Sequence, residues 1–110
     1  MAGSDLYTGT LDLLVLKALS WGPMHGYAIN RWIGTRTNEV VTVTEGSLYP
    51  ALHRMQKRGL LRAEWGVTDQ NREAKYYSLT PAGRERLREE SARFTEHANA
   101  VASVLALTRA

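Results

Sequence analysis

The chain begins with two stretches in which apolar residues recur every three or four positions, the spacing of one helix face. In the first stretch, Thr8 or Thr10 can cap a helix that Trp-Gly-Pro at residues 21–23 brings to an end. The apolar face of this helix comprises Leu11, Leu14, Val15, Ala18 and Leu19. The second stretch, HGYAINRWIGTRT, predicts a helix with Ile29, Trp32 and Ile33 on one side. We expect it to end within residues 34–38, before a β-branched segment, Glu39–Val43, that is either a small strand or an extended linker.

A third helix is predicted in TEGSLYPALHRMQKRGLL, although this stretch contains a proline. The apolar face of the helix comprises Leu48, Leu52 and Met55. A proline in a helix interior removes a donor and clashes with the preceding turn, whereas the first four N–H groups of a helix have no internal partner. If the helix begins near Glu45 to Ser47, Pro50 falls in the first turn and removes no hydrogen bond. Gly59 then ends the helix as the residue just beyond its C-cap.

From residue 60 the pattern changes to an alternation of apolar and polar positions, which is typical of strands. In LLRAEW, one face would carry Leu61, Ala63 and Trp65. In the later AKYYSLT, Tyr77 and Leu79 lie opposite Tyr76 and Ser78. The eight residues between them, GVTDQNRE, predict a hairpin loop that is long for a tight turn.

A last helix opens with Thr80 as N-cap and Pro81 at the first helical position, and it can run to about Leu107. Three helices, a hairpin and a long helix, in that order, describe a winged helix-turn-helix. We therefore predict a mainly α fold with a small β-hairpin. Residues 1–79 would form a winged helix-turn-helix DNA-binding domain, and residues 80–110 a long C-terminal dimerisation helix.

Composition narrows the class of protein further. A chain of 110 residues suffices for one domain, and the absence of cysteine excludes disulfides and thiolate chemistry and suits a reducing cytoplasm. The three histidines lack metal-ligand spacing, and no apolar run of about 20 residues occurs. We expect no signal peptide, because the first ten residues lack a basic start. Paired carboxylates, a Ser/His/Asp set and a phosphate-binding Gly-rich loop are also missing. We expect a cytoplasmic protein that is not an enzyme and that uses no metal or cofactor.

Positive charge is concentrated in the middle of the chain. The net charge is only +3, but no acidic residue occurs between Gly46 and Ala63. The same stretch contains Arg54, Lys57, Arg58 and Arg62. A basic patch of this kind attracts phosphates, which favours a nucleic-acid partner. The alternatives are a solvated basic face without a ligand, or a winged helix that serves as a protein-interaction module.

The third helix has the features of a recognition helix, which enters the major groove of DNA with its N-terminal residues at the base edges. The side chains expected away from its core face are Tyr49, Pro50, His53, Arg54 and Lys57. Ser47 would cap the helix or contact a phosphate. We predict that Tyr49 and Arg54 lie on the outer face near the N-terminal end and contact DNA. The alternative for Tyr49 is packing in the core, and for Arg54 a guanine edge and a phosphate are both suitable partners.

The last helix carries a heptad pattern. Leu87, Phe94 and Val101 are spaced by seven, and Ser91, Ala98 and Leu105 form a second series. A small domain cannot cover a helix this long, so we predict a homodimer through Leu87, Phe94, Ala98, Val101 and Leu105 rather than a helix that folds back on its own domain. Leu6 and Tyr7 would extend this interface. A two-fold dimer predicts an inverted-repeat operator with half-sites about one helical turn apart.

Three motifs in this order resemble the PadR family of bacterial transcriptional regulators. LDLLVLKALSWGPMHGYAI resembles the family's first helix, turn and second helix, and TEGSLYPALHRMQKRGLL its recognition helix. REAKYYSLTPAGRERL resembles the second wing strand and the start of the next helix. The similarity covers Thr10 to Leu87. The single C-terminal helix is similar to that of the compact subgroup.

The resemblance implies a homodimeric transcriptional repressor that binds double-stranded DNA. The residues that would face the DNA groove are Ser47, Tyr49, Pro50 and Arg54. Lys75 and Tyr76 would lie at the wing strand, near the phosphate backbone or bracing the helix. Because Ala74 stands where many relatives are basic or bulky, Asn71 and Arg72 at the wing tip are the candidates for compensating contacts. Some family members bind planar aromatic compounds at the dimer interface. That leaves open a small aromatic effector, which would be lined by Phe94, Ala98 and Val101, while Trp21, Trp32 and Trp65 are expected in the core.

Overall fold

The computed structural model describes the backbone of residues 2–109 and the side chains of residues 9–109. The elements in chain order are α1 (Ala2–Leu19), β1 (Met24–His25), α2 (Gly26–Arg36), α3 (Glu45–Lys57), β2 (Leu61–Val67), β3 (Glu73–Leu79) and α4 (Pro81–Leu105). The predicted fold class is confirmed: the protein is mainly helical, with a small antiparallel sheet and a long last helix. Among the described residues, no helix combines the length and apolarity needed to cross a bilayer.

The sheet has three strands rather than the predicted two, in the order β1-β3-β2. The unpredicted strand β1 is only two residues long and pairs Met24 with Tyr77. The wing, formed by β2 and β3, pairs Trp65 with Lys75. Both strands extend further than alternation suggested, so the connecting loop is residues 68–72 instead of eight residues. The Thr68 amide donates to the Arg72 carbonyl at 2.8 Å and closes this loop.

The core lies between the first three helices and one face of the sheet, and it contains nearly all the residues that periodicity assigned to it. The fully buried side chains include Val15, Leu16, Leu19, Ile29, Ile33, Leu48, Leu52 and Met55. Leu11, Leu14 and Trp32 pack against this cluster. The expectation that all three tryptophans are core residues is wrong, because Trp21 and Trp65 are each 69% exposed.

Helix α1 begins earlier than predicted. The backbone is helical from Ala2 through Thr8, Gly9 and Thr10, so neither threonine ends the helix as a cap. A single glycine or threonine lowers helix propensity by no more than about 1 kcal/mol, too little to stop a helix that neighbouring residues support. The side chains of Leu6 and Tyr7, assigned to the dimer interface, lie outside the described part of the structure.

Helix α3 begins at Glu45, as predicted, but its cap is Thr44. The Thr44 side chain accepts a hydrogen bond from the Ser47 amide, so the predicted role of Ser47 as cap is wrong. Pro50 is the sixth residue of the helix and lies in its second turn, not its first. Pro50 has no N–H to offer to the carbonyl four residues earlier, that of Gly46. Because Gly46 is exposed, this carbonyl is not buried without a partner.

The end of α3 is tied to the wing and to α4. Gly59 follows the C-cap with φ 78°, and the Leu60 and Gly59 amides donate to the carbonyls of Met55 and Gln56 at 2.9 and 3.0 Å. This is a Schellman motif, and it turns the chain directly into β2. The Thr80 hydroxyl, at the start of α4, donates to the Gly59 carbonyl at 2.6 Å. The recognition helix and the wing therefore have a fixed relative position.

The connection between α2 and α3 contains no strand, so the linker alternative for Glu39–Val43 is the one observed. Asn38 and Glu39 adopt positive φ angles of 53° and 64°, which turn the chain away from α2. The Thr37 hydroxyl accepts a hydrogen bond from the Val41 amide at 3.1 Å, which stabilises the turn. A β-branched composition thus yields an extended segment here because the described chain offers it no neighbouring strand to pair with.

Candidate nucleic-acid interface

Helix α3 presents a clearly divided surface. Its inner face consists of the buried residues Leu48, Ala51, Leu52 and Met55. Its exposed side chains include Ser47, Tyr49, Pro50, His53 and Lys57. Five of the predicted groove residues are therefore on the surface of one helix. A face of this shape, free of acidic residues beyond Glu45, is what a major groove can accept.

Tyr49 is 46% exposed and lies against the start of α2. A β-carbon built on Gly26 would fall 2.7 Å from the Tyr49 hydroxyl oxygen, so the phenol occupies the space that a side chain at position 26 would need. Burial raises the pKa of the neighbouring Tyr77, and the Tyr49 phenol adds to this effect. Tyr49 is thus neither a core residue nor a free surface residue: one edge is packed and the other faces solvent.

Arg54 departs from its predicted position. It lies in the last turn of α3, not near the N-terminal end, and it is on the flank that faces α1. Its Nη2 atom donates to Oδ1 of Asp12 at 2.6 Å, and the two side chains are only 33% and 22% exposed. The sequence pattern did not predict the contact with Asp12, because a partner 42 residues away cannot be recognised from helical periodicity alone.

The wing divides its candidate residues between two faces. Asn71 and Arg72 are exposed at the tip, as predicted, and Asn71 has a φ of 61° that tightens the loop. Lys75 lies on the face that continues from the core, with its ammonium nitrogen 6.0 Å from the centre of the Trp65 ring. This cation–π geometry holds the lysine side chain along the wing.

Tyr76 is on the opposite face of the wing from Lys75, because successive residues of a strand point to opposite sides. Its ring meets that of His25 edge to face at 5.3 Å, and its hydroxyl donates to the Val67 carbonyl at 3.4 Å. These contacts join β1 to the hairpin. Of the two roles suggested for Tyr76, bracing is the one that its contacts serve, although it braces the sheet rather than α3.

A cleft of about 850 Å³ separates the recognition helix and the start of α2 from the wing. Its walls carry three exposed aromatic residues, Tyr27, Tyr49 and Trp65. Sequence reasoning missed Tyr27 and assigned Trp65 to the core. Alternation placed Trp65 on the core-side face of its strand, but it did not show that the strand extends beyond the core at that point.

The charges of the cleft are mixed. Arg72 and Lys75 lie along it together with Asp69 and Glu73 of the wing. Just outside the cleft, three basic residues without an adjacent acidic residue in the sequence are exposed at the end of α3 and the start of β2: Lys57, Arg58 and Arg62. Exposed positive charge is therefore grouped at the end of α3 and at the start of β2.

The C-terminal helix leaves its apolar face open along most of its length. Phe94 and Val101 are 42% and 43% exposed, and Leu105 is 78% exposed. Ala98, between them, is half-buried. Leu87 differs from the other heptad residues because it packs against the core of its own domain. At this point α4 is still in contact with the rest of the chain, and because Leu87 is only partly buried, its place in the dimer seam stays a prediction.

Within the described residues, no group of three or more His, Asp or Glu side chains is placed to hold a metal ion.

The fold and its exposed surfaces together define a winged-helix regulator that binds DNA. The chain belongs to the transcriptional regulator PadR-like family, whose profile matches residues 15–89.

Three comparisons illustrate the similarity. Protein X of Lysinibacillus sphaericus is 32% identical over 89 residues, which cover 81% of this chain and 82% of that protein. The PadR-like transcriptional regulator of Bacillus cereus superposes with a TM-score of 0.80 at 27% identity, over 94% of this chain and 99% of that chain. The PadR family regulator of Eggerthella lenta superposes with a TM-score of 0.76 at 30% identity, over 97% of this chain and 91% of that chain. The Bacillus cereus and Eggerthella lenta proteins are transcriptional regulators, which agrees with the expectation that the chain is not an enzyme.

Proposed function

We propose that this protein is a homodimeric transcriptional repressor that binds an inverted-repeat operator and acts in the cytoplasm. The observation that carries the proposal is the exposed face of α3, which has aromatic and basic side chains and adjoins the wing across one cleft. A helix with this surface can enter a major groove while the wing follows the neighbouring backbone.

The contacts within a half-site follow from the position of each side chain. Tyr49, Pro50 and His53 occupy the part of α3 that would reach base edges, and Lys57 lies one turn further on. Ser47 is in the first turn, where unpaired amides and the helix dipole favour a phosphate. Arg72 and Lys75, on the wing, would contact the backbone and contribute affinity rather than sequence preference.

Dimerisation would use the open apolar face of α4. Phe94, Ala98, Val101 and Leu105 lie on this face beyond the point where α4 leaves its own domain. A second copy that buries this face would produce a two-fold dimer, and two recognition helices related by a two-fold axis require an inverted repeat. We extend the proposal to a small planar aromatic effector that would insert beside Phe94, Ala98 and Val101 and alter the spacing of the two DNA-binding domains.

Repression requires nothing beyond these surfaces. A dimer that occupies a promoter excludes polymerase by its presence, whereas activation needs an additional surface that contacts the transcription machinery. The wing and α3 would be covered by DNA, and α4 by the partner copy. We therefore favour repression over activation.

Titration of fluorescent genomic promoter fragments, including the protein's own promoter, tests the proposal. We expect one or more fragments to bind with a preference over random DNA that persists when the salt concentration is raised. Tyr49→Ala should weaken binding to the preferred site on the order of tenfold and binding to random DNA much less. Thr42→Ala, at an exposed position of the linker before α3, is the matched control and should change neither.

Two results would contradict the proposal. If no fragment were preferred, and if nucleic acid failed to compete with a bound protein partner, the winged helix would be an interaction module instead. If Tyr49→Ala lowered binding to every sequence equally, Tyr49 would contribute to affinity without reading the DNA sequence.

A further inference from the structure

Asp12 and Arg54 form a contact that is unusual within this structure. Asp12 is in α1 and Arg54 is in the last turn of α3, and the Nη2 and Oδ1 atoms are 2.6 Å apart. The other two ion pairs seen among the described side chains join residues three apart within α4. The Asp12–Arg54 pair is therefore the one ion pair of the described region that joins two different elements.

The surroundings of the pair restrict both side chains. Asp12 lines a small cavity of about 160 Å³ together with Leu16 and Met55, two fully buried core residues. The charged side chains of Arg58, Arg86 and Glu90 line the same cavity. With its side chain 33% exposed, Arg54 is the most enclosed of the basic residues of α3. A charged hydrogen bond in such a half-buried position is stronger and better defined than one between freely exposed side chains.

We propose that Arg54 is a positioning residue, which sets the orientation of the recognition helix through Asp12 instead of contacting DNA itself. The inference rests on the proposed binding of an operator through α3. Helix α1 packs against both α3 and α4, so the pair connects the recognition helix to the elements next to the proposed dimer face. The orientation of α3 relative to the two-fold axis decides whether both half-sites are reached at once.

The two roles of Arg54 predict opposite results for the variant Asp12→Ala. If Arg54 contacts a phosphate, the loss of Asp12 frees the guanidinium and removes a negative charge near DNA, so operator binding becomes tighter. If Arg54 positions α3, the same variant weakens operator binding because the helix loses its anchor. Alanine also favours helix formation, so a loss of affinity would not follow from a weaker α1.

The experiment compares operator affinity, measured by fluorescence anisotropy at several salt concentrations, for the wild type, Asp12→Ala, Arg54→Ala and the double variant. We expect each single variant to weaken binding on the order of fivefold, and the double variant to be no weaker than either one. The slope of affinity against salt should stay unchanged, because no phosphate contact is lost. Glu89→Gln, which removes an exposed carboxylate from α4, is the control for net charge.

Three outcomes would overturn the inference: tighter binding by Asp12→Ala, additive losses in the double variant, or a salt slope reduced by about one in Arg54→Ala. Thermal unfolding of each variant separates a changed orientation from a loss of folded protein. If Asp12→Ala unfolds at a markedly lower temperature, the isosteric Asp12→Asn is compared instead: it removes the charge but keeps a weaker neutral acceptor for Arg54, so we expect a loss of operator affinity in the same direction and of smaller size. A wild type without any preferred site would overturn the proposed function itself, and it would be recognised before any variant is compared.

Discussion

The phenol of Tyr49, on the recognition helix, occupies the space that a side chain on Gly26, at the start of α2, would need. A β-carbon at position 26 would be 2.7 Å from the Tyr49 hydroxyl oxygen and 2.9 Å from the ring carbon that carries it. Gly26 is buried, and its φ is not in the positive range that requires glycine. Glycine is thus present at this position because of the space it leaves for Tyr49.

This contact makes Gly26→Ala a sensitive test of how Tyr49 is positioned. The added methyl group meets the far end of a flexible side chain, so we expect Tyr49 to move aside with little loss of stability. Affinity for the preferred DNA site should fall on the order of tenfold, since a displaced ring would lose the base-edge contact that we propose for it. Anisotropy titration and thermal unfolding measure the two effects. Unchanged affinity would show that the position of Tyr49 does not matter for DNA binding.

The wing offers a second comparison, between Lys75 and Trp65, which face each other across the two strands. Lys75→Ala removes a charge, so we expect weaker binding to all sequences and a salt slope smaller by about one. Trp65→Ala removes an exposed ring that carries no charge, so the slope should remain while affinity falls. Titrations at several salt concentrations distinguish these results, and identical slopes for both variants would mean that Lys75 does not reach a phosphate.

Tyr77 should make the fold sensitive to alkaline conditions. Its pKa is raised above the ordinary 10.0 by burial and, to a smaller extent, by Tyr49. Because the folded-state pKa exceeds the unfolded one, the stabilisation is complete below about pH 10 and is lost as the pH rises through the folded-state value. We expect Tyr77→Phe to lose less stability than the wild type between about pH 8 and about pH 11. Equal losses in thermal unfolding experiments would show that Tyr77 does not contribute.

Gly83 is the position where the start of α4 approaches the rest of the domain most closely. A β-carbon on Gly83 would be 2.2 Å from the Leu60 carbonyl oxygen, a backbone atom that cannot rotate away. We expect Gly83→Ala to lower the free energy of unfolding by about 1–3 kcal/mol or more, measured by urea denaturation. Gly9→Ala is the control: outside its own helix turn, no atom of the described residues lies within 4 Å of its added carbon, so this variant should be as stable as the wild type or more so.

Most of the core could be predicted from the sequence because it depends on local periodicity. Leu48, Leu52 and Met55 are buried where the helical repeat placed them. The start of α4 at Thr80 and Pro81 also followed from short-range chemistry, since a cap and a first-turn proline act within a few residues. These features need no knowledge of distant parts of the chain.

What the sequence did not reveal depends on contacts between distant residues. The Asp12–Arg54 pair joins positions 42 apart, and neither residue type indicates its partner. Strand β1 has only two residues and exists because β3 offers a free edge. Trp65 follows the alternation of its strand correctly, yet it is exposed because the wing extends past the core. Periodicity shows which face a residue is on, but it does not show where the neighbouring layer ends.

The open face of α4 provides the test of the dimer. Phe94 is the one large aromatic residue on this face within the described chain, and it is 42% exposed. Phe94→Arg would place a charge in the middle of an apolar interface, so we expect monomers in sedimentation velocity and a large loss of operator affinity with little change in the monomer's fold. Glu96→Arg introduces the same side chain outside the heptad seam and should leave the dimer intact. A dimer that survived Phe94→Arg would show that the copies meet through another surface.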